Sequence, residues 1–222
     1  MKVTPLFVVM TALFVTALLT ANVIAVKLVD VFGLVVPAAV VIFPLSYIFG
    51  DVLTEVYGYG QARRVIWLGF ACNLLMVAAI WVGQVLPAPA FWDAQPAYER
   101  ILGYTPRLLL ASFAAYLVGE FANSFVLAKL KIATRGRWLW TRTIGSTVVG
   151  QGLDSAVFIT VAFVGTAGLS LPGAIVTQWA FKCAYEALAT PLTYVVVGFL
   201  KRREGMDVFD YHTRFNPVLI AE

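Results

Sequence analysis

Six runs of mostly apolar residues dominate this sequence, at about Leu6–Val29, Val35–Tyr57, Val65–Leu86, Leu108–Leu130, Ile144–Val164 and Gly173–Leu200. A helix needs about 20 such residues to cross a hydrocarbon core about 30 Å thick. Each run meets that length, and the last can tilt or extend past the bilayer. The expected fold is therefore all-α: a polytopic membrane protein of six transmembrane helices. None of the runs alternates apolar and polar residues, which excludes a membrane β-barrel. Of the 222 residues, 61% are hydrophobic and 13% charged, whereas a soluble domain is nearer half apolar and a quarter charged. We expect one transmembrane domain over residues 1–222, with a cytoplasmic tail from about 201. The first run is too long for a signal-peptide core and lacks a small-residue cleavage site, so it reads as a retained helix.

The charges set the orientation. The net charge is +4 and the chain holds 16 Lys and Arg. Twelve of these fall at the N-terminus, in two connections or in the tail: Lys2, Arg63, Arg64, Lys129, Lys131, Arg135, Arg137, Arg142, Lys201, Arg202, Arg203 and Arg214. That distribution is a topology signal, not a nucleic-acid-binding stripe. The connections "GYGQARR" and "KIATRGRWLWTR" and the tail "KRRE" are basic. The turn "DVFGLVVP", the Pro-rich stretch with Trp92, Tyr98 and Tyr104, and "GTAGLSLP" are not. The positive-inside rule then places both termini in the cytoplasm and the neutral turns outside.

A few polar side chains remain within the apolar runs: Asn22 and Lys27; Asp51 and Glu55; Glu120 and Asn123; Gln151 and Asp154; Gln178, Lys182 and Glu186. An ionised group at mid-bilayer costs at least about 2.5–3.5 kcal/mol, so these cannot face lipid. Asp51/Glu55 and Gln178/Lys182/Glu186 recur at i,i+4, and Glu120/Asn123 and Gln151/Asp154 at i,i+3. Four helices thus each present a polar stripe, and a central polar cavity opening inward is the simplest geometry. By depth, Asp51 and Glu55 lie towards the cytoplasmic end, which suits gating or coupling. The bland alternative is a buried structural pair in which Lys182 neutralises Asp154 or Glu120. One lysine cannot balance five acids, so protons, a cation or ligand donors must supply the rest.

Other features are plainer. Ser146 and Gly150 suit close helix packing. Pro44 and Pro191 are expected to kink or break their helices. Phe43, Tyr47, Phe49, Phe158, Trp179 and Tyr185 border the stripes, as core packing or as stacking faces for a planar ligand. "YIFGDVLTE" (Tyr47–Glu55) is faintly echoed by "YLVGEFANS" (Tyr116–Ser124). Cys72 and Cys183 suggest neither a disulfide framework nor a metal site. His212 lies in the tail. No H-E-x-x-H, G-x-S-x-G, P-loop or G-x-G-x-x-G motif occurs, so the sequence offers no catalytic residues, no metal site and no cofactor site.

Three motifs together resemble the queuosine precursor transporter family, also called the VUT family: "FPLSYIFGDVLTEVYGYGQARR", "RTIGSTVVGQGLDSAVF" and "KCAYEALATP". The resemblance implies an inner-membrane carrier of 7-deazaguanine precursors, above all 7-cyano-7-deazaguanine, with the 7-aminomethyl analogue as a second cargo. It points to Tyr47, Asp51 and Glu55; to Arg142, Ser146, Gln151, Asp154 and Ser155; and to Lys182, Tyr185 and Glu186. Together with the stripe residues, the candidate substrate-binding set is Tyr47, Asp51, Glu55, Glu120, Asn123, Gln151, Asp154, Gln178, Trp179, Lys182, Tyr185 and Glu186. The expected partners are a small planar base and the lipid bilayer, with the 24 kDa bundle acting alone or as a homodimer. A rival reading is a vitamin- or nucleobase-binding membrane subunit that needs a separate energy-coupling partner.

Overall fold

The computed structural model describes residues 4–31, 34–103, 106–165 and 170–219. Among them it forms α1 (Pro5–Ile24), a hairpin of β1 (Leu28–Val31) and β2 (Leu34–Pro37), a 3₁₀ turn (Ala38–Val41), α2 (Phe43–Tyr57), α3 (Tyr59–Val85), α4 (Gln95–Leu102), α5 (Pro106–Ala133), α6 (Leu139–Phe163) and α7 (Leu171–Glu204). By length and composition α1, α3, α5, α6 and α7 can each cross a membrane. The chain is a multi-pass membrane protein. Its outer faces carry exposed apolar side chains such as Leu75, Leu188 and Val195, as a lipid-facing surface requires.

Local signals explain the helix ends. Thr4 caps α1 by accepting from the Phe7 amide at 3.2 Å, with Pro5 in the first turn, where a missing N–H costs nothing. Ser170 caps α7 through the Gly173 amide. That helix closes on Gly205 in the left-handed conformation, behind Lys201, Arg202 and Arg203.

The second expected span is not a continuous helix. Its first part, from Val35, is divided between β2 and the 3₁₀ turn, and α2 has only 15 residues, about 22 Å at 1.5 Å each. Pro44 explains the late start, because it stands in the first turn of α2 rather than within it. The basic connection expected after Tyr57 is not a loop either. Gly58 alone joins α2 to α3, at φ 84° and ψ 164°, a backbone conformation essentially reserved for glycine. "YGQARR" is thus the start of α3. Pro191 lies inside α7 without ending it. The outer Pro-rich connection contains the unexpected short α4, held by the Tyr98 hydroxyl donating to the Ile80 carbonyl at 3.1 Å. Tyr104 and residues 166–169 of "GTAGLSLP" lie outside the described residues.

Two contacts place the helices relative to one another. Phe14, Leu18, Val52, Leu53, Ile66 and Val197 belong to a core that ties α1, α2, α3 and α7 together. The α5–α6 crossing is very close: a Cβ on Gly150 would lie 2.6 Å from Asn123 Cβ, and one on Gly119 would lie 2.7 Å from Asp154 Cβ. Small residues are what permit such an approach, and they bring Asn123 against Gly150 and Asp154 against Gly119 in the same seam.

Candidate functional site

The polar side chains form two layers rather than one cavity lining. The lower layer is an ionic hub where the C-terminal ends of α2, α5 and α7 meet the start of α6. Glu55, fully buried, receives Arg142 Nε on Oε2 at 2.7 Å and Nη2 on Oε1 at 2.8 Å. Lys201 Nζ reaches its Oε1 at 2.5 Å, and Lys131 Nζ lies 3.6 Å away while donating to the Glu55 carbonyl at 2.5 Å. Asp207, from the tail, binds Lys131 at 2.6 Å and Lys201 at 2.8 Å. Partial burial pushes the Asp207 carboxyl up, but hydrogen bonds from Lys131 and Lys201 outweigh it and hold the group below the usual aspartate range. Three cations thus face two carboxylates. Lys131 and Arg142, counted from the sequence among the topology charges, are 1% and 2% exposed.

The tail continues along the same end. Asp210 takes the Tyr59 amide on both carboxylate oxygens at 3.0 and 3.2 Å, an acid at a helix N-terminus. Arg63 donates to the carbonyls of Arg214 (3.0 Å) and Asn216 (2.8 Å), and Trp67 Nε1 to that of Pro217 (2.7 Å). Arg63 is 1% exposed. Its role is to hold the tail, not to sit in a solvated loop.

The upper layer holds the remaining intramembrane acids. From α2 come Tyr47 and Asp51, from α5 Glu120 and Asn123, from α6 Gln151 and Asp154, and from α7 Lys182 and Glu186. Asn123 Nδ2 donates to Asp51 Oδ1 at 2.6 Å. Lys182 is ion-paired with Asp154 and lies 4.7 Å from the centre of the Phe43 ring. Tyr47 is buried among Asp154, Glu120 and Asp51, and its ring packs 5.3 Å from that of Phe43. The electrostatic neighbours of Asp51 include Glu186, Glu120 and Glu55. Among the described residues, the buried carboxylate and amide oxygens without a hydrogen-bond partner are Asp51 Oδ2, Glu120 Oε2, Asn123 Oδ1, Gln151 Oε1, Glu186 Oε1 and, a turn before Lys182 on α7, Gln178 Oε1; the hydroxyls of Thr147 and Ser155 on α6 also lack one. As placed, each carboxylate and amide oxygen is an acceptor. The layer is built to receive donors.

Comparison with known proteins assigns the chain. Residues 37–196 match a family described as "Putative vitamin uptake transporter". This chain belongs to that family. It is a family of transporters, not of enzymes. Among similar proteins, a "Probable queuosine precursor transporter" of Bacillus subtilis (strain 168) is 37% identical over 67% of this chain and 66% of its own length. The "Queuosine precursor transporter" of Escherichia coli (strain K12) is 26% identical over 54% of this chain and 52% of its own. A "Probable queuosine precursor transporter" of Haemophilus influenzae is 25% identical over 54% and 49%. The match thus spans from about half to just under two thirds of the length of these relatives. No solved structure matches.

Within this vitamin uptake transporter chain, the residues expected from sequence divide. Tyr47, Asp51, Glu120, Asn123, Gln151, Asp154, Lys182 and Glu186 share the upper layer. Glu55 does not: its carboxylate is fully engaged in the hub one helical turn below. Trp179 donates to the Val148 carbonyl at 2.9 Å and lies against Gly152, so it serves the α6–α7 contact. Tyr185 is half-buried on α7. Ser146 and Ser155 are buried on α6; Ser146 donates to the Thr143 carbonyl at 2.9 Å. The bland expectation that Lys182 neutralises Asp154 is met. Nothing in the sequence marks Lys131 and Lys201 as partners of Glu55, or Asp207 as theirs, since a basic run does not show which lysine turns inward. Two hollows, of about 320 Å³ beside Phe7, Thr11 and Leu68 and about 560 Å³ beside Tyr194, Phe199 and Arg202, lie away from the upper layer.

Proposed function

We propose that this transporter imports 7-deazaguanine precursors of queuosine, chiefly 7-cyano-7-deazaguanine, through the upper polar layer. The relatives' names supply the cargo class, and one observation in the site supports it: buried carboxylate and amide oxygens from four helices lack a donor. A guanine-like base carries several N–H donors along its edges and one carbonyl. Carboxylates accept paired N–H bonds, and Lys or an amide can serve the carbonyl, as side chains do when reading base edges. Tyr47 and Phe43 offer aromatic faces beside the layer, and stacking contributes about 1–3 kcal/mol per base. In this reading Asp154 and Glu186 recognise the base, with Gln151 and Lys182 in support. The chain makes six passes in a bacterial inner membrane, the hairpin, 3₁₀ turn and α2 together forming the second, with both termini and the ionic hub facing the cytoplasm.

The test is uptake of labelled 7-cyano-7-deazaguanine into liposomes containing only the purified protein. Flux is expected, saturable and competed by the aminomethyl analogue but not by adenine. Asp154→Asn removes the partner of Lys182 and an acceptor together, and it should reduce uptake at least tenfold while the protein still inserts. Wild-type uptake by that variant would sink the site. Binding without flux would instead favour a capture subunit that needs a separate energy-coupling partner.

A further inference from the structure

We propose that Asp51 carries a transported proton on Oδ2, so that cargo entry is coupled to proton entry. This rests on the import reading above for its cargo, but its core argument is charge balance. Asp51, Glu120 and Glu186 are each at most 2% exposed and each keeps an oxygen without a partner. The cations nearby are committed elsewhere. Lys182 pairs with Asp154, while Arg142, Lys131 and Lys201 converge on Glu55, the two lysines also binding Asp207. Arg63 holds tail carbonyls. α1 contributes no charged residue, and α3 only Arg63 and Arg64 at its start.

The groups facing Asp51 are therefore acidic or neutral. Glu55 and Tyr47 come from its own helix, Glu120 and Asn123 from α5, and Glu186 from α7. The Asp154–Lys182 pair is the next neighbour beyond Glu120. Three adjacent carboxylates without a free cation cannot all stay ionised inside a membrane protein. Carboxylates this close titrate as a set and share protons.

Asn123 identifies the oxygen. Its amide holds Asp51 Oδ1 at 2.6 Å, and its own Oδ1, fully buried, is a further acceptor without a partner. That leaves Oδ2 as the protonation site. Once protonated, Oδ2–H is a donor, and it removes the negative charge that Glu186 and Glu120 oppose. No other bond changes: the proton enters from external water, resides on Oδ2, and leaves to the cytoplasm.

Two measurements test this. First, infrared spectra of the purified protein in lipid at neutral pH should show the carbonyl stretch of a protonated carboxylic acid, and Asp51→Asn should lose it. A wild-type spectrum with no such band overturns the proposal. Second, wild-type liposomes are given an external pH one unit below the internal pH, with the membrane potential clamped at zero. For one proton per neutral base, labelled 7-cyano-7-deazaguanine should accumulate about tenfold above its equilibrium level, and internal pH should fall on cargo addition. A plateau unmoved by the pH gradient, or one driven by a sodium gradient alone, overturns proton coupling while leaving the cargo intact. If no deazaguanine moves under any gradient, the import reading fails, and the infrared band alone decides whether Asp51 holds a proton.

Discussion

Glu55→Gln separates the two polar layers most sharply. In the hub, Glu55 receives two hydrogen bonds from Arg142 at 2.7 and 2.8 Å and one from Lys201 at 2.5 Å, with Lys131 3.6 Å away. Neutralising it leaves three cations with only Asp207, which is itself partly exposed. Removing one member of a buried ionic set costs about 3–5 kcal/mol, most of it the penalty of stranding the opposite charges. For a chain of this size that corresponds to a fall in melting temperature on the order of 10 °C. Pairing Glu55→Gln with Arg142→Met removes one stranded cation, and the double variant should recover part of the loss. The assay is thermal unfolding of detergent-purified protein, with deazaguanine affinity measured on the fraction that stays folded. The expected result is a large loss of stability with affinity changed less than threefold. A Glu55→Gln protein that melts like wild type but no longer binds would refute the hub assignment and return Glu55 to the cargo site.

Two further predictions concern the tail. Gly58→Ala forces an alanine into a glycine-only conformation and places its Cβ 2.7 Å from Val208 Cγ1; it should cost about 1–3 kcal/mol and expose Arg214 to trypsin in inside-out vesicles, against slow cleavage in wild type. Asp207 has a lowered pKa in the docked tail, so its contribution is present at neutral pH and above the ordinary aspartate value of about 3.9, and fades as pH falls through its lowered value. Asp207→Asn should therefore quicken tryptic cleavage at pH 7, and the loss of thermal stability it causes should vanish in strong acid.

The long spans were legible because their signal is additive: about 20 apolar residues make a helix in lipid whatever their neighbours do. α1, α3, α5, α6 and α7 follow from that rule, with only their ends displaced. α2 broke it, because hydropathy does not distinguish an apolar strand and a 3₁₀ turn from helix. Pro44 and Gly58 carry the information on where α2 begins and ends, Pro44 as the expected break and Gly58 within the connection "GYGQARR". The upper layer was legible for a similar reason. An acid in lipid must have company, and the i,i+3 and i,i+4 spacings named most of it.

What stayed hidden is the identity of the partner. Asp51 and Glu55 share a helix face and differ by one turn, so sequence alone treats them as one feature. The structure divides them by what lies opposite. Glu55 meets Lys131, Arg142 and Lys201 at the ends of α5, α6 and α7, and is held charged. Asp51 meets Asn123, Glu120 and Glu186, with no cation to hold its charge. Two carboxylates at consecutive turns thus have opposite electrostatic surroundings, which fits Glu55 to a fixed role and Asp51 to the exchangeable one proposed above. The short α2 is what allows this: it is tied at one end by Gly58 to the docked tail, and at the other its first ring, Phe43, lies against Lys182. Both polar layers are thus anchored to the same 15-residue helix.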